Sequence, residues 1–217
     1  MNRQRLFFAL LLCILTPLAA MASDDILRRL AEADSLYFTP GSPTECEAAF
    51  ASVLREALES DAITDPTERS IAEWKLSVCL TNAEDSVATD LLLRRPVGDD
   101  FTLLDYVASE PVLMLLYDPN CHHCREVIQS LQAPGLLPTS LRVLAVCIEG
   151  DPNFWMASIG GLIPDGWDNA YDMSGVLEND LYIVRSMPSV YLINPGGIVA
   201  LKNPSIKRLT DYFTKCQ

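Results

Sequence analysis

Apolar residues recur with two different periods along the 217-residue chain. Over residues 24–95 the period is helical. Phe50, Val53, Leu54, Ala57 and Leu58 repeat at i, i+3, i+4, i+7 and i+8 and form one face of a helix. Cys46 lies one turn earlier on that face. A second helix has its start signals in order: Asp65 as cap, Pro66 at the first position and Glu68 to close a capping box. Ile71, Trp74 and Val78 then make a core-facing stripe, with Leu76 and Cys79 beside it. Asn82, with Asp85 three residues on, predicts a third helix over 82–94 that stops before Pro96. The first two helices are joined by a few residues and should lie antiparallel, so residues facing each other carry numbers that sum to about 125. Cys46 and Cys79 meet that condition, which predicts a structural disulfide between them.

From Pro96 onward the pattern changes. Residues 112–117 (VLMLLY) and 141–148 (LRVLAVCI) are short continuous apolar runs, the mark of strands buried on both faces. Residues 189–194 and 198–201 flank Pro195-Gly196-Gly197 as a hairpin. Helices are predicted over 124–131, 153–159, 175–183 and 206–213. The chain therefore reads as an α/β protein, with a central mixed sheet flanked by helices and preceded by a small all-helical region.

The N-terminus changes the picture of where this fold works. Arg3 and Arg5 precede an apolar run over 6–15, and Ala20-Met21-Ala22 fits a leader-peptidase site. Residues 1–22 read as a signal peptide, 23–95 as the helical region and 96–217 as the α/β domain. A leader implies export, most simply to a bacterial periplasm, and an oxidising compartment. Six of the seven cysteines remain after cleavage, as do 14 basic against 29 acidic residues. That acidity argues against nucleic acid and against peripheral binding to an anionic membrane.

The chemistry concentrates in residues 118–127, DPNCHHCREV. Three readings compete for Cys121, His122, His123 and Cys124. Zinc needs four tetrahedral ligands, and four consecutive residues at a helix start cannot converge on one ion; a second ligand pair is absent, so no metal is expected. An inert bridge seldom uses this spacing at a helix start. The redox reading fits the context. After a strand, Cys121 opens a helix, where unpaired N–H groups and the helix dipole favour its thiolate. Cys124, three residues on, lies on the same face within bridging reach as the resolving thiol.

YDPNCHHCR after a buried strand, together with Ser186-Met187-Pro188 before SVYLINPGGIVALKN, resembles the thioredoxin-like superfamily. The spacing of the two elements, and FTLLD at 101–105, are similar to exported TlpA-type members. The resemblance covers about residues 96–217. It implies a thioredoxin-like fold, Cys121 as attacker, Cys124 as resolver and a cis Met187–Pro188 bond beside them. It also implies that the Met187 backbone pairs with an extended substrate segment, and that no cofactor is needed. The partners would be protein thiols or disulfides and a redox partner.

The sequence departs from the family at two places. Asn120 stands where Trp usually precedes the first cysteine, and Leu115 stands where thioredoxin has a buried Asp that accepts the resolving thiol's proton. Glu149 is a candidate replacement. His123 matches a His of protein disulfide isomerase and DsbA. Together with His122 and Arg125 it is expected to stabilise the Cys121 thiolate and make the disulfide more oxidising. The scaffold also admits a reductase, so the direction of electron flow stays open. Cys147 reads as a small core residue, and Cys216 as a terminal thiol. A different class of function, a binding or scaffold protein with a vestigial cysteine pair, is the alternative.

Overall fold

The structure, a computed structural model, describes residues 22–37 and 44–215. The expected leader, apart from Ala22, and Cys216 lie outside the described residues. The chain divides into two compact units, Met1–Leu80 and Thr81–Gln217.

The first unit holds helices α1 (22–37), α2 (Thr44–Glu59) and α3 (Pro66–Leu80). Phe50, Leu54 and Ala57 of α2 are buried at its centre with Ile26, Tyr37, Ile63, Ala72 and Cys79, as the helical period of α2 predicts. Asp61, at φ 53°, turns the chain out of α2. Asp65 Oδ1 then accepts the N–H groups of Thr67 at 2.8 Å and Glu68 at 3.0 Å, which is the cap expected for α3.

The stripe expected on α3 is rotated. Ile71 is 49% and Trp74 63% exposed, whereas Ala72 and Cys79 are buried with Leu76 packed against them. Ala, Leu and Cys at i, i+4 and i+7 let the helices approach closely, a fit that outweighs the greater hydrophobicity of the other face. Both cysteines of the expected Cys46–Cys79 bridge belong to this unit. Cys79 lies in the core and Cys46 is half-buried.

The second unit is built on one sheet of seven strands: β1 (Leu92–Arg94), β2 (Phe101–Thr102), β3 (Val112–Tyr117), β4 (Arg142–Cys147), β5 (Asp168–Asp172), β6 (Ser189–Asn194) and β7 (Ile198–Lys202). Their order is β2-β1-β5-β4-β3-β6-β7. β3, β4 and β5 run parallel, and β6, β7, β1 and β2 pair antiparallel with their neighbours. All six residues of β3 are buried. Val112, Met114 and Leu116 enter one core with Leu91, Leu93, Leu103, Tyr182 and Tyr191. Leu113 and Leu115 enter the other, with Ile128 and Leu131 of α5 (His122–Leu131) and Leu209 of α7 (Ile206–Lys215). The one-turn α4 (Leu103–Tyr106) packs on the first face. α6 (Pro152–Leu162) adds Trp155 beside α5.

Two predicted helices are absent. Residues 82–94 join the sheet instead. Asn82 (φ 49°) and Asp85 (φ 65°) are left-handed. The Asn82 side chain accepts from Thr89 N–H at 2.6 Å and donates to Leu181 O at 2.8 Å. Residues 85–88 hydrogen-bond with 197–199, and buried Leu91 and Leu93 alternate with exposed Leu92. Residues 81–95, assigned from sequence to the helical region, thus belong to the sheet unit. Residues 175–183 form consecutive turns, with Gly175 (φ 69°) and Asp180 (φ 50°) in left-handed conformations that stop a helix. The strand before them, β5, was not predicted, because DNAYD lacks an apolar run.

Replacing Asp65 by Ala should destabilise α3 by ~1 kcal/mol, seen as about fivefold faster amide hydrogen exchange across that helix. Unchanged exchange would show that the cap contributes nothing.

Candidate active site

β3 ends at Tyr117, and three residues carry the chain into α5. Asp118 makes the turn: its Oδ1 accepts Asn120 N–H at 2.8 Å, and its carbonyl accepts Cys121 N–H at 3.0 Å. Cys121 is therefore the N-cap of α5, with extended backbone (φ −75°, ψ 114°). Its Sγ accepts the Cys124 N–H at 3.2 Å. A sulfur in the position of a capping oxygen sees the free N–H groups of the first turn, and no acidic residue occupies that turn.

The third contact comes from far along the chain. Met187–Pro188 is a cis peptide, as the resemblance implies. The Cys121 S–H donates to Met187 O at 3.7 Å. The residue before the proline thus presents its main chain beside the half-buried cysteine, at the start of β6. Pro188 itself is buried.

Cys124 is a different group in a different place. It is fully buried, in a cluster with Tyr117, Ala145, Cys147 and Trp155. Burial, and then the contact with Cys121, push its thiol up to about 12. One sulfur is reachable and sits at a helix N-terminus; the other is protonated beneath it.

The floor of this cluster is polar at one point. Asn169 Oδ1 accepts Trp155 Nε1–H at 3.0 Å and Tyr117 O–H at 3.2 Å. Burial raises the Tyr117 hydroxyl well above its ordinary range, so it stays protonated. Cys147 faces the same cluster, as the Tyr117↔Cys147 register requires. Its S–H donates to Glu149 O at 3.2 Å, and burial raises it to about 11.

Three sequence expectations meet this geometry differently. Leu115 is wholly buried in the apolar core on the α5 side of the sheet, so the usual acid position is empty of charge. The Glu149 side chain is exposed, and its carbonyl serves Cys147. The two histidines turn away from the sulfur: His122 Nε2 lies 3.4 Å and His123 Nδ1 3.2 Å from the Glu126 carboxylate, with side chains 84% and 65% exposed. Neither hydrogen-bonds Cys121. Glu126 lies at i+4 from His122 and i+3 from His123, so both rings find a carboxylate on their own helix. Sequence reasoning passed over Asp118. The signal was present in D-P-N, an Asx turn immediately before the helix.

No family model and no curated protein matches the sequence. Solved structures do match. A thioredoxin-like protein from Bacteroides caccae superposes with a TM-score of 0.74 at 23% identity, over 87% of this chain and 69% of that one. The C-terminal domain of an uncharacterized protein from Bacteroides fragilis matches with a TM-score of 0.56 at 25% identity, over 62% of this chain and 99% of that one. The thioredoxin domain of a thiol-disulfide oxidoreductase from Bacteroides vulgatus matches with a TM-score of 0.50 at 18% identity, over 62% and 97%.

The contrast between the two sulfurs sets an expected result. Brief treatment of the reduced protein with iodoacetamide at pH 8 should alkylate Cys121 and leave Cys124 unmodified, because a thiol raised to about 12 holds its proton four pH units below that value. Peptide mapping that found equal labelling would contradict this assignment. Its parallel-centred sheet, its strand–turn–helix dithiol and its cis-proline loop give this chain a thioredoxin-like fold.

Proposed function

We propose that this protein is an exported, periplasmic thiol–disulfide oxidoreductase of TlpA type, acting on protein thiols or disulfides through Cys121 and Cys124. The observation that carries this reading is the asymmetric pair: Cys121 half-buried at the α5 N-terminus, 3.7 Å from Met187 O, and Cys124 buried behind it. The superposed Bacteroides domain that bears the name thiol-disulfide oxidoreductase supports it. The leader-like N-terminus supports export.

In the reducing direction, the Cys121 thiolate attacks one sulfur of a substrate disulfide. The substrate's other sulfur leaves as a thiol, and a mixed disulfide forms. Cys124 then attacks Cys121 Sγ, closing the Cys121–Cys124 bond and releasing the second substrate thiol. The oxidising direction is the same path reversed. The Met187 main chain flanks the attacking sulfur and serves an extended substrate segment as a strand-like partner. No cofactor enters, because the electron pair moves between sulfurs.

The histidines tune this chemistry through charge alone. Both are exposed and paired with Glu126, so their field at Cys121 is partly offset and screened by water. His123→Ala should therefore shift the reduction potential of the pair by less than about 30 mV, a factor of ten in the exchange constant. A larger shift, measured against a glutathione redox series, would mean that the ring turns to the sulfur in solution.

The main test is trapping. Cys124→Ser should accumulate mixed disulfides through Cys121 with exported proteins, visible on non-reducing gels and lost on adding dithiothreitol. Cys121→Ser should abolish both trapping and turnover of a model disulfide. If Cys124→Ser traps nothing and wild type neither reduces nor oxidises a model disulfide, the scaffold reading replaces this one.

A further inference from the structure

Cys124 is wholly buried in one cluster with Tyr117, Ala145, Cys147 and Trp155. Tyr117 ends β3 and Trp155 comes from α6, so the two rings reach this cluster from separate elements. Asn169 on β5 joins them. Its Oδ1 accepts Trp155 Nε1–H at 3.0 Å and Tyr117 O–H at 3.2 Å. Its register partner on β4 is Ala145, a member of the same cluster, so the amide stands on the Cys124 side of the sheet.

The amide is fixed in one sense. The indole N–H is only a donor, so the oxygen must face Trp155. Asn169 Nδ2 is then buried with no hydrogen-bond partner among the described residues. A buried unpaired donor is costly, and an apolar side chain of the same size would avoid that cost. The oxygen gives the amide its use. Without it, two further buried donors, on Trp155 and Tyr117, would draw water into the cluster.

Few ionisable groups face Cys124. Cys121 shares its helical turn, and Asp118 precedes it with the carboxylate on Asn120 N–H. Tyr117 on β3 and Cys147 on β4 keep their protons, both raised by burial. Over Pro152–Leu162, α6 has no ionisable residue. On β5, half-buried Tyr171 packs against the cluster and donates to Gly150 O. Met187, before β6, is uncharged, and His122, His123, Arg125 and Glu126 are exposed. Burial is first among the causes that hold the Cys124 thiol up, so the dryness of the cluster matters most.

We propose that Asn169 is a positioning residue for the resolving thiol: its side-chain oxygen locks Trp155 and Tyr117 into a dry wall around Cys124 and so sets how slowly a mixed disulfide on Cys121 is resolved. The proposal rests on the oxidoreductase reading above. In the step concerned, Cys124 gives its proton to solvent and its sulfur bonds to Cys121 Sγ. The bond from Cys121 Sγ to the substrate sulfur breaks, and the substrate leaves as a thiolate with the electron pair. Two protein thiols are oxidised and one substrate disulfide is reduced. Asn169 bonds neither sulfur and acts through the two rings.

The first test follows alkylation of Cys124 by iodoacetamide between pH 7 and 10, in full-length protein carrying Cys121→Ser. With the wall intact, the rate should climb about tenfold per pH unit without levelling. Asn169→Leu fills the space without the oxygen. Its profile should level off within that range, as a hydrated thiol does near its ordinary value of about 8.5. Easier access alone would raise the rate equally at every pH and leave the shape unchanged. Asn169→Asp keeps both acceptor bonds and adds a negative charge, so its profile should climb like that of the parent. Asn169→Ser is too short to reach both rings; it should level off too, and it decides the matter where Asn169→Leu does not fold. Leu103→Ala, in the core on the opposite face of the sheet, controls for lost stability and should keep the parent shape.

The second test uses reduced protein with both cysteines and 5,5′-dithiobis(2-nitrobenzoate) in stopped flow. Attack by Cys121 releases one nitrothiobenzoate, and resolution by Cys124 releases a second in a later phase. In Asn169→Leu the ratio of second-phase to first-phase rate at pH 7 should rise about tenfold, the net of more thiolate and a weaker nucleophile. A profile or a ratio unchanged in the Asn169 variants, or the same change in Leu103→Ala, overturns the proposal and leaves the oxidoreductase reading intact. A wild-type protein with no first phase overturns both.

Discussion

β3 is buried along its whole length, with Val112, Met114 and Leu116 on one side and Leu113 and Leu115 on the other. A strand packed from both faces has no freedom to slip, because a one-residue shift would exchange its two cores. Its register against β4 and β6 is therefore fixed, and so is the point at which it ends. Tyr117 is the last buried residue, and the backbone must leave the sheet there and start a helix over the face that holds Leu113 and Leu115. The N-terminus of α5 then falls beside the start of β6, strand β3's antiparallel neighbour, where Met187 and Pro188 enter. The contact between Cys121 Sγ and Met187 O follows from that placement.

The chemical asymmetry of the two cysteines follows from the same helix. Three residues separate them, enough to move from the cap to the buried face. Cys121 meets N–H groups and solvent; Cys124 meets Tyr117, Ala145, Cys147 and Trp155. One helical turn thus leaves one sulfur at the helix cap beside free N–H groups and puts the other in an environment that penalises charge. Charged side chains near the pair modify this contrast and do not create it. The histidines spend their polarity on Glu126, and Asp118 spends its own on the turn that delivers Cys121.

The two units differ in how well sequence pattern predicts them. α2 and the cap of α3 follow from period and start signals, which are local. The buried face of α3 does not, because Ile71 and Trp74 are more hydrophobic than Ala72 and Cys79, and only close helix packing favours the smaller set. Residues 82–94 carry a plausible helix start, yet Asn82 uses its amide to reach Thr89 and Leu181 instead, and Leu91 and Leu93 alternate into the sheet core. Sequence-local signals lose where a long-range hydrogen-bonded partner offers the same residues a better use. β5 was invisible for the complementary reason: its strand character comes from pairing with β4 and β1, not from its composition.

The sequence by itself determined β3, β6 and the hairpin to β7, the helix that follows the first cysteine, and the dithiol whose members must differ. These rest on continuous apolar runs, turn residues and a three-residue spacing, which act over a few residues. The resemblance carried by Met187-Pro188 added the partner loop. Only the tertiary structure decided which polar groups attend the sulfurs. It turned His122 and His123 to Glu126, committed Asp118 to the turn before Cys121, placed Leu115 in an apolar core and brought Met187 O within 3.7 Å of Cys121 Sγ. The physical reason is range. Burial and helix start are written in neighbouring residues, whereas the direction of a charged side chain is settled by whichever partner the packed chain brings within a few ångströms.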